Sequence, residues 1–89
     1  MRRINLSLDN MHSPQELHAY LEEVLELPDY YGDNLDALYD VLTETSEPMT
    51  ITIAEDVQED EYLGDYGTQL LCVLQDAAAV NEAINLIIE

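Results

Sequence analysis

Two aspartates lie four residues apart in this 89-residue chain, at a spacing that allows their carboxylates to act together. On a helix, side chains at i and i+4 share one face, with Cβ atoms roughly 5–6 Å apart. Asp36 and Asp40 would therefore present two negative charges side by side. Tyr30 and Tyr31 precede them, and aromatic rings of this kind are frequent anchors in protein interfaces. The cluster is therefore a candidate surface for binding a partner that carries positive charge.

Two plainer interpretations fit the same pair of carboxylates. An amphipathic helix commonly exposes a solvated acidic face. Paired carboxylates also serve as acid and base in sugar hydrolysis, but an 89-residue chain leaves little room for a substrate cleft, so we expect no enzymatic activity. Like charges at i and i+4 destabilise a helix by a few tenths of a kcal/mol, and the chain has no lysine to compensate. This cost favours a binding role for Asp36 and Asp40.

The charge balance limits the classes of partner. The chain has 20 Asp and Glu residues against Arg2 and Arg3, and its formal net charge is −18. Nucleic acids and anionic membranes are bound through basic patches, which two arginines cannot supply. We therefore expect a basic protein partner and no direct contact with nucleic acid or membrane. Solubility alone, or a salty environment, would also account for the acidity.

The sequence carries no motif for a cofactor, a metal or a membrane span. Its hydrophobic fraction of 47% is that of a globular protein, and no apolar run approaches the ~18 residues of a membrane helix, so we expect a cytoplasmic location. Cys72 lies in an apolar helical pattern, where a buried, inert thiol is expected. His12 and His18 lack companion ligands, and we expect them to be surface or satisfied core side chains.

The first half of the chain must position the aspartates. Alternating apolar residues predict a strand from Arg3 to Leu8. Ser13, Pro14 and Glu16 form a capping box that begins a helix, which ends near Pro28.

A second helix is predicted from the N-cap Asn34 to about Thr43, after a loop that contains Gly32. Three leucines would hold it to the core: Leu35, Leu38 and Leu42. Asp36, Asp40 and Glu44 would face outward, with Tyr39 at the border.

In the second half of the chain, the pattern of apolar residues predicts a strand from Met49 to Ile53, a helix from Tyr66 to Val80 capped by Asn81, and a strand from Ala83 to Ile88. An acidic connector joins the first of these strands to the helix. The last strand is apolar on both faces and should be covered on two sides. The order of elements is β, α, α, β, α, β. It predicts an α/β fold in which a small three-stranded parallel sheet packs with three to four helices, as one domain over residues 1–89.

From Leu27 to Leu42, the stretch LPDYYGDNLDALYDVL resembles the barstar family, and the similarity extends over essentially the whole chain. The family consists of intracellular inhibitors of secreted microbial ribonucleases, whose second helix plugs the enzyme's active site. The resemblance implies a barstar-like fold and partner-binding residues at Tyr30, Gly32, Asn34, Asp36, Tyr39, Asp40 and Asp76. It further implies that Asp40 replaces the scissile phosphate, that Asp36 pairs with a base, and that Tyr30 stacks on the active-site rim. Asp76 would add a peripheral salt bridge.

The implied partner is a basic, guanyl-specific ribonuclease in a 1:1 complex, and strong self-repulsion makes a free monomer the expected state. The chain departs from the family at Tyr39 and Thr45, where tryptophan is frequent, and at Asp76, where the carboxylate side chain is usually longer. Two other functions stay open: an acidic mimic of nucleic acid, and a structural or regulatory module that keeps the fold and binds another partner.

Overall fold

The computed structural model describes residues 2–28 and 31–89. Within these residues, six regular elements follow one another in the order β1 (Arg2–Leu6), α1 (Pro14–Val24), α2 (Leu35–Glu44), β2 (Met49–Ile53), α3 (Asp65–Val80) and β3 (Ile84–Ile88), with 3₁₀ turns at Leu8–Asn10 and Glu55–Gln58. This arrangement confirms the predicted α/β fold with a three-stranded parallel sheet. The first strand ends two residues early, because Leu8 begins a 3₁₀ turn. None of the helices in the described part has the length and apolar character needed to span a bilayer.

The sheet has the strand order β1-β2-β3, and both pairs are parallel. In one row of the register Ile4, Ile51 and Leu86 lie side by side on the helix-covered face. Two successive right-handed crossovers that advance in the same direction across a sheet place their helices on the same face. The opposite face is open and carries Arg3, Asn5, Thr50, Thr52, Asn85 and Ile87.

The prediction that β3 is covered on two sides is wrong. Ile87 is 44% exposed, and its neighbour Asn85 is exposed as well. β3 is an edge strand, and three strands with all helices on one side leave the other side open. Only its alternate residues, beginning with Ile84, face the helices.

Helix α3 lies unusually close to the 3₁₀ turn at Glu55–Gln58. A Cβ on Gly67 would lie 2.1 Å from the backbone oxygen of Val57, so this helix position has no room for a side chain. Val57 and Leu70 are fully buried. This close approach holds the 3₁₀ turn against α3, the helix that also packs against α2.

Arg2 ties β1 to the ends of α1 and α2. Its Nη2 donates to the backbone oxygen of Val24 at 3.0 Å, and its guanidinium pairs with Glu26 at 3.7 Å and Glu47 at 3.4 Å. One of the two arginines is thus engaged within the fold.

Candidate functional site: the acidic face of α2

Helix α2 begins as predicted, after an N-cap asparagine. Asn34 has extended backbone angles, and its Oδ1 accepts from the backbone N–H of Ala37 at 2.7 Å. Its Nδ2 donates to the backbone oxygen of Gly32 at 3.1 Å. Both ends of the Asn34 amide are therefore used to start the helix, which fixes where Asp36 begins the acidic face.

The acidic face is exposed and lies opposite a buried leucine face. Leu38 is fully buried and Leu42 is 2% exposed, while Asp36, Asp40 and Glu44 are exposed. The ion pairs among the described residues use Glu16, Glu26 and Glu47, and none of them reaches these three acids. The carboxylates on α2 thus have no cation within the described part of the chain to neutralise them.

A groove of about 220 Å³ runs along one flank of this face, and we call it the α2 groove. Its lining residues are Tyr31, Gly32, Ala37, Asp40, Val41 and Glu44. A Cβ on Gly32 would lie 3.2 Å from Asn34 Nδ2 and 3.5 Å from Ala37 Cβ, so glycine keeps this wall of the groove low. The structure therefore brings together Gly32 and Asp40, two of the predicted site residues.

Glu44 belongs to this cluster but was not among the predicted partner-binding residues. It lies one turn beyond Asp40 and lines the same groove. Its i+4 spacing from Asp40 was the signal that could have identified it.

The remaining predicted site residues lie around this cluster or outside the described residues. Tyr39 is half-buried and packs against the core at the border of the acidic face. Asp76 is exposed on α3, the helix that packs against α2. Tyr30 lies outside the described residues. The role of each of these three towards a partner stays a prediction.

Tyr31 does not serve as an exposed aromatic anchor, which corrects the expectation from the sequence. It is 7% exposed, and its hydroxyl lies 2.6 Å from Nδ1 of the buried His18. The Nε2 of the same ring lies 2.6 Å from the hydroxyl of Tyr66 on α3. We call these three residues the His18 triad. His18 is thus a satisfied core histidine, one of the two interpretations that the sequence allowed.

Burial sets the titration behaviour of the triad. Desolvation lowers the pKa of His18 below its ordinary value of 6.5, and the negative charge of Asp33 opposes this in part. Burial, followed by the charge of Asp33, raises the pKa of Tyr31. Burial also raises the pKa of Tyr66. All three groups are therefore uncharged at neutral pH.

The C-terminus of α2 is held by a residue from elsewhere in the chain. Asn81 ends α3, as predicted, with its backbone N–H donating to Ala77. Its side-chain Nδ2 donates to the backbone oxygens of Leu42 and Thr45, both at 2.8 Å. Asn81, the C-cap residue of α3, thus binds one carbonyl in the last turn of α2 and one at its C-cap, so both ends of α2 are held.

Cys72 is exposed, so the expectation of a buried thiol is wrong. Residue 72 lies on the exposed side of α3, whose buried positions are Gly67, Leu70, Leu71, Leu74 and Ala77. Within the described residues, no group of three His, Cys, Asp or Glu side chains is arranged to hold a metal ion.

The family model described as Barstar (barnase inhibitor) matches residues 1–88. The chain is also 35% identical, over 91 aligned positions, to the Bacillus subtilis (strain 168) protein named "Putative ribonuclease inhibitor YrdF", and the alignment covers 100% of both chains. The three-stranded parallel sheet with its helices is consistent with these similarities. The chain belongs to the barstar family.

Proposed function

We propose that this protein inhibits a microbial ribonuclease of the barnase type by placing the acidic face of α2 in the enzyme's active site. Membership of the barstar family and the name of the Bacillus subtilis relative support ribonuclease inhibition in general. The observation that carries the mechanism is the exposure of Asp36, Asp40 and Glu44 on a helix capped at both ends. A ribonuclease must bind phosphates through cationic side chains, and carboxylates are matched to the same groups.

Each site residue has a proposed role in this complex. Asp40 takes the position of the scissile phosphate among cationic side chains, and Asp36 pairs with a neighbouring base. Gly32 leaves the entrance to the α2 groove without a side chain, and the Asn34 cap orders the backbone beside it. Four further roles follow: Tyr30 stacks on the active-site rim, Tyr39 packs beside the acids, Asp76 adds a peripheral salt bridge, and Glu44 extends the charge along the groove.

The charge of the whole chain supports the same assignment. A net charge of −18 attracts a basic enzyme over a distance of about one Debye length, ~10 Å at 0.1 M salt. The same charge opposes self-association, so the proposed state is a monomer that binds the enzyme 1:1. We further propose that it acts inside the cell, without enzymatic activity of its own.

Titration of the protein into a guanyl-specific ribonuclease, followed by RNA cleavage, tests the proposal. We expect stoichiometric inhibition that Asp40→Ala weakens by roughly 2–5 kcal/mol, or about 30-fold to several-thousand-fold. This range is the general cost of truncating one partner of a buried charge pair. The complex of barnase with barstar is one of the examples from which the range is taken, so we do not predict the magnitude independently.

Asp9→Ala is the matched control, because Asp9 is an exposed aspartate in the 3₁₀ turn after β1 and its loss changes the net charge equally. It should leave inhibition within about threefold of the native value. Equal weakening by both substitutions, or absence of inhibition at micromolar protein, would contradict the assignment of Asp40.

A second candidate function is a broad acidic mimic of nucleic acid that blocks a different basic protein. The observation in its favour is the exposed acidic stretch before α3: Glu55, Asp56, Glu59, Asp60, Glu61 and Asp65. A surface of that kind would bind its partner almost as well after Asp40→Ala. The same pair of variants therefore separates the two functions.

A further inference from the structure

The His18 triad joins three elements that are distant in the chain. His18 lies on α1, Tyr31 lies in the loop before α2, and Tyr66 lies in the first turn of α3. His18 is 2% exposed, and each ring nitrogen has a tyrosine hydroxyl at 2.6 Å. Buried polar groups at these distances are fully satisfied, and losing one partner leaves the other unpaired at a cost.

The protons of the triad can be placed from the donors and acceptors present. A neutral imidazole has one donor and one acceptor, so one tyrosine accepts from His18 and the other donates to it. The Tyr31 hydroxyl has a second acceptor, the backbone oxygen of Asn34 at 3.5 Å. All groups are satisfied when Nδ1–H donates to Tyr31, the Tyr31 hydroxyl points to Asn34, and the Tyr66 hydroxyl donates to Nε2.

This chain of contacts ends on the N-cap residue of α2. The same Asn34 oxygen accepts from the backbone N–H of Leu38 at 3.0 Å, and the Asn34 side chain accepts from Ala37. A shift of Tyr31 would therefore move the first turn of α2, which contains Asp36. Tyr31 is also a wall of the α2 groove beside Asp40.

We propose that His18 is a positioning residue for α2: its ring, held by Tyr66, fixes Tyr31 and the Asn34 cap, and so sets the presentation of Asp36 and Asp40. The consequence for partner binding rests on the proposed function. The consequence for the order of α2 does not, because it concerns the free protein.

The charged and titratable groups around His18 come from each element that packs on it. The loop before α2 contributes Asp33 and Tyr31, and α3 contributes Tyr66. Glu22 on α1 acts on Tyr31. Of these groups, Asp33 alone favours a charged imidazole in the folded protein, and burial outweighs it.

Native-state amide hydrogen exchange of the free protein is the first test. Tyr66→Phe keeps the ring and removes the hydroxyl that bonds Nε2. We expect exchange of Ala37 and Leu38 to accelerate roughly tenfold, with less than about threefold change for Ile51 and Ile53 in the central strand. Acceleration of the same size throughout, or none at Ala37 and Leu38, would overturn the proposal.

Two further variants exclude a general loss of stability as the cause. Tyr20→Phe is the control, because the Tyr20 hydroxyl accepts from Ser7 N–H at 2.9 Å, away from α2, and its loss should leave the exchange rates of Ala37 and Leu38 unchanged.

Tyr31→Phe should accelerate exchange of the same two amides. The double variant with Tyr66→Phe should add little more, because both substitutions act through His18. Fully additive effects would show that the tyrosines act independently of His18.

The rate of dissociation from the inhibited ribonuclease is the second test. We expect Tyr66→Phe to raise it roughly fivefold, without a change in the association rate. If neither the native protein nor Asp40→Ala binds the enzyme, the proposed function fails while the exchange result still decides the role of His18. Faster exchange at Ala37 and Leu38 together with an unchanged dissociation rate would overturn the link from His18 to binding.

Discussion

His18 links the stability of this protein to pH. Since burial lowers the His18 pKa in the folded state, the unfolded chain takes up a proton below pH 6.5 that the folded chain does not. The free energy of unfolding should then fall with decreasing pH, by at most about 1.4 kcal/mol per pH unit, until the folded-state pKa is reached. Above pH 6.5 the histidine is neutral in both states and adds no pH dependence.

Urea unfolding at pH 7.0 and pH 5.5 measures this contribution. We expect the native protein to lose up to about 1 kcal/mol through His18, and His18→Gln to lack this loss. His12→Gln is the control, because His12 is exposed and pairs with Glu16 on the surface. Subtracting the profiles removes the opposite effect of the acids, whose mutual repulsion weakens as they gain protons. An equal pH dependence in His18→Gln and the native protein would contradict the prediction.

At the scale of elements, α2 is presented as a rigid unit. Asn34 caps its first turn, Asn81 binds its last carbonyls, and Leu38 and Leu42 fix it to the core. A preordered helix loses little conformational entropy on binding, so more of the charge-assisted contact energy appears as affinity. The two caps and the leucine contacts thus fix the position of the helix that carries Asp36 and Asp40.

Gly67 tests how closely the elements around α3 must pack. In Gly67→Ala the new methyl group would meet the backbone oxygen of Val57 at 2.1 Å and its carbonyl carbon at 2.7 Å, and backbone atoms cannot move aside cheaply. We expect a loss of about 3 kcal/mol in the free energy of unfolding, measured by urea titration. Gly32→Ala is the matched control with a much smaller loss, since its nearest neighbour is the Asn34 side-chain amide at 3.2 Å. A similar loss in both variants would show that the contact at Val57 is not the cause.

What the sequence could predict at this scale was local. The Asn34 cap and the Ser13 cap, which accepts from Glu16 N–H at 3.1 Å, depend on residues within one turn, and both were predicted correctly. The exposure of Asp36 and Asp40 followed from the helical period alone. The His18 contact with Tyr66 spans 48 positions and the Asn81 contact with Leu42 spans 39, so neither is visible in any local pattern. The wrong predictions for Cys72 and β3 share this cause, because burial of an apolar residue depends on which elements cover it.

At the scale of the whole molecule, the proposed function assigns the net charge and the acidic face of α2 to different steps of binding. In the proposed complex, the net charge of −18 would act at long range and raise the association rate with a basic enzyme, whereas Asp40 would act only at contact. We expect the association rate to fall about tenfold or more between 50 and 500 mM salt, because the Debye length shortens from about 14 Å to about 4 Å. Asp40→Ala removes one negative charge of the 20, so it should leave the association rate within about twofold and raise the dissociation rate strongly. Stopped-flow association and competition dissociation measure both steps. An association rate that does not change with salt would show that the partner's binding surface is not basic. That result would contradict the long-range role of the acidic surface, and the dissociation rate of Asp40→Ala would still test its role at contact.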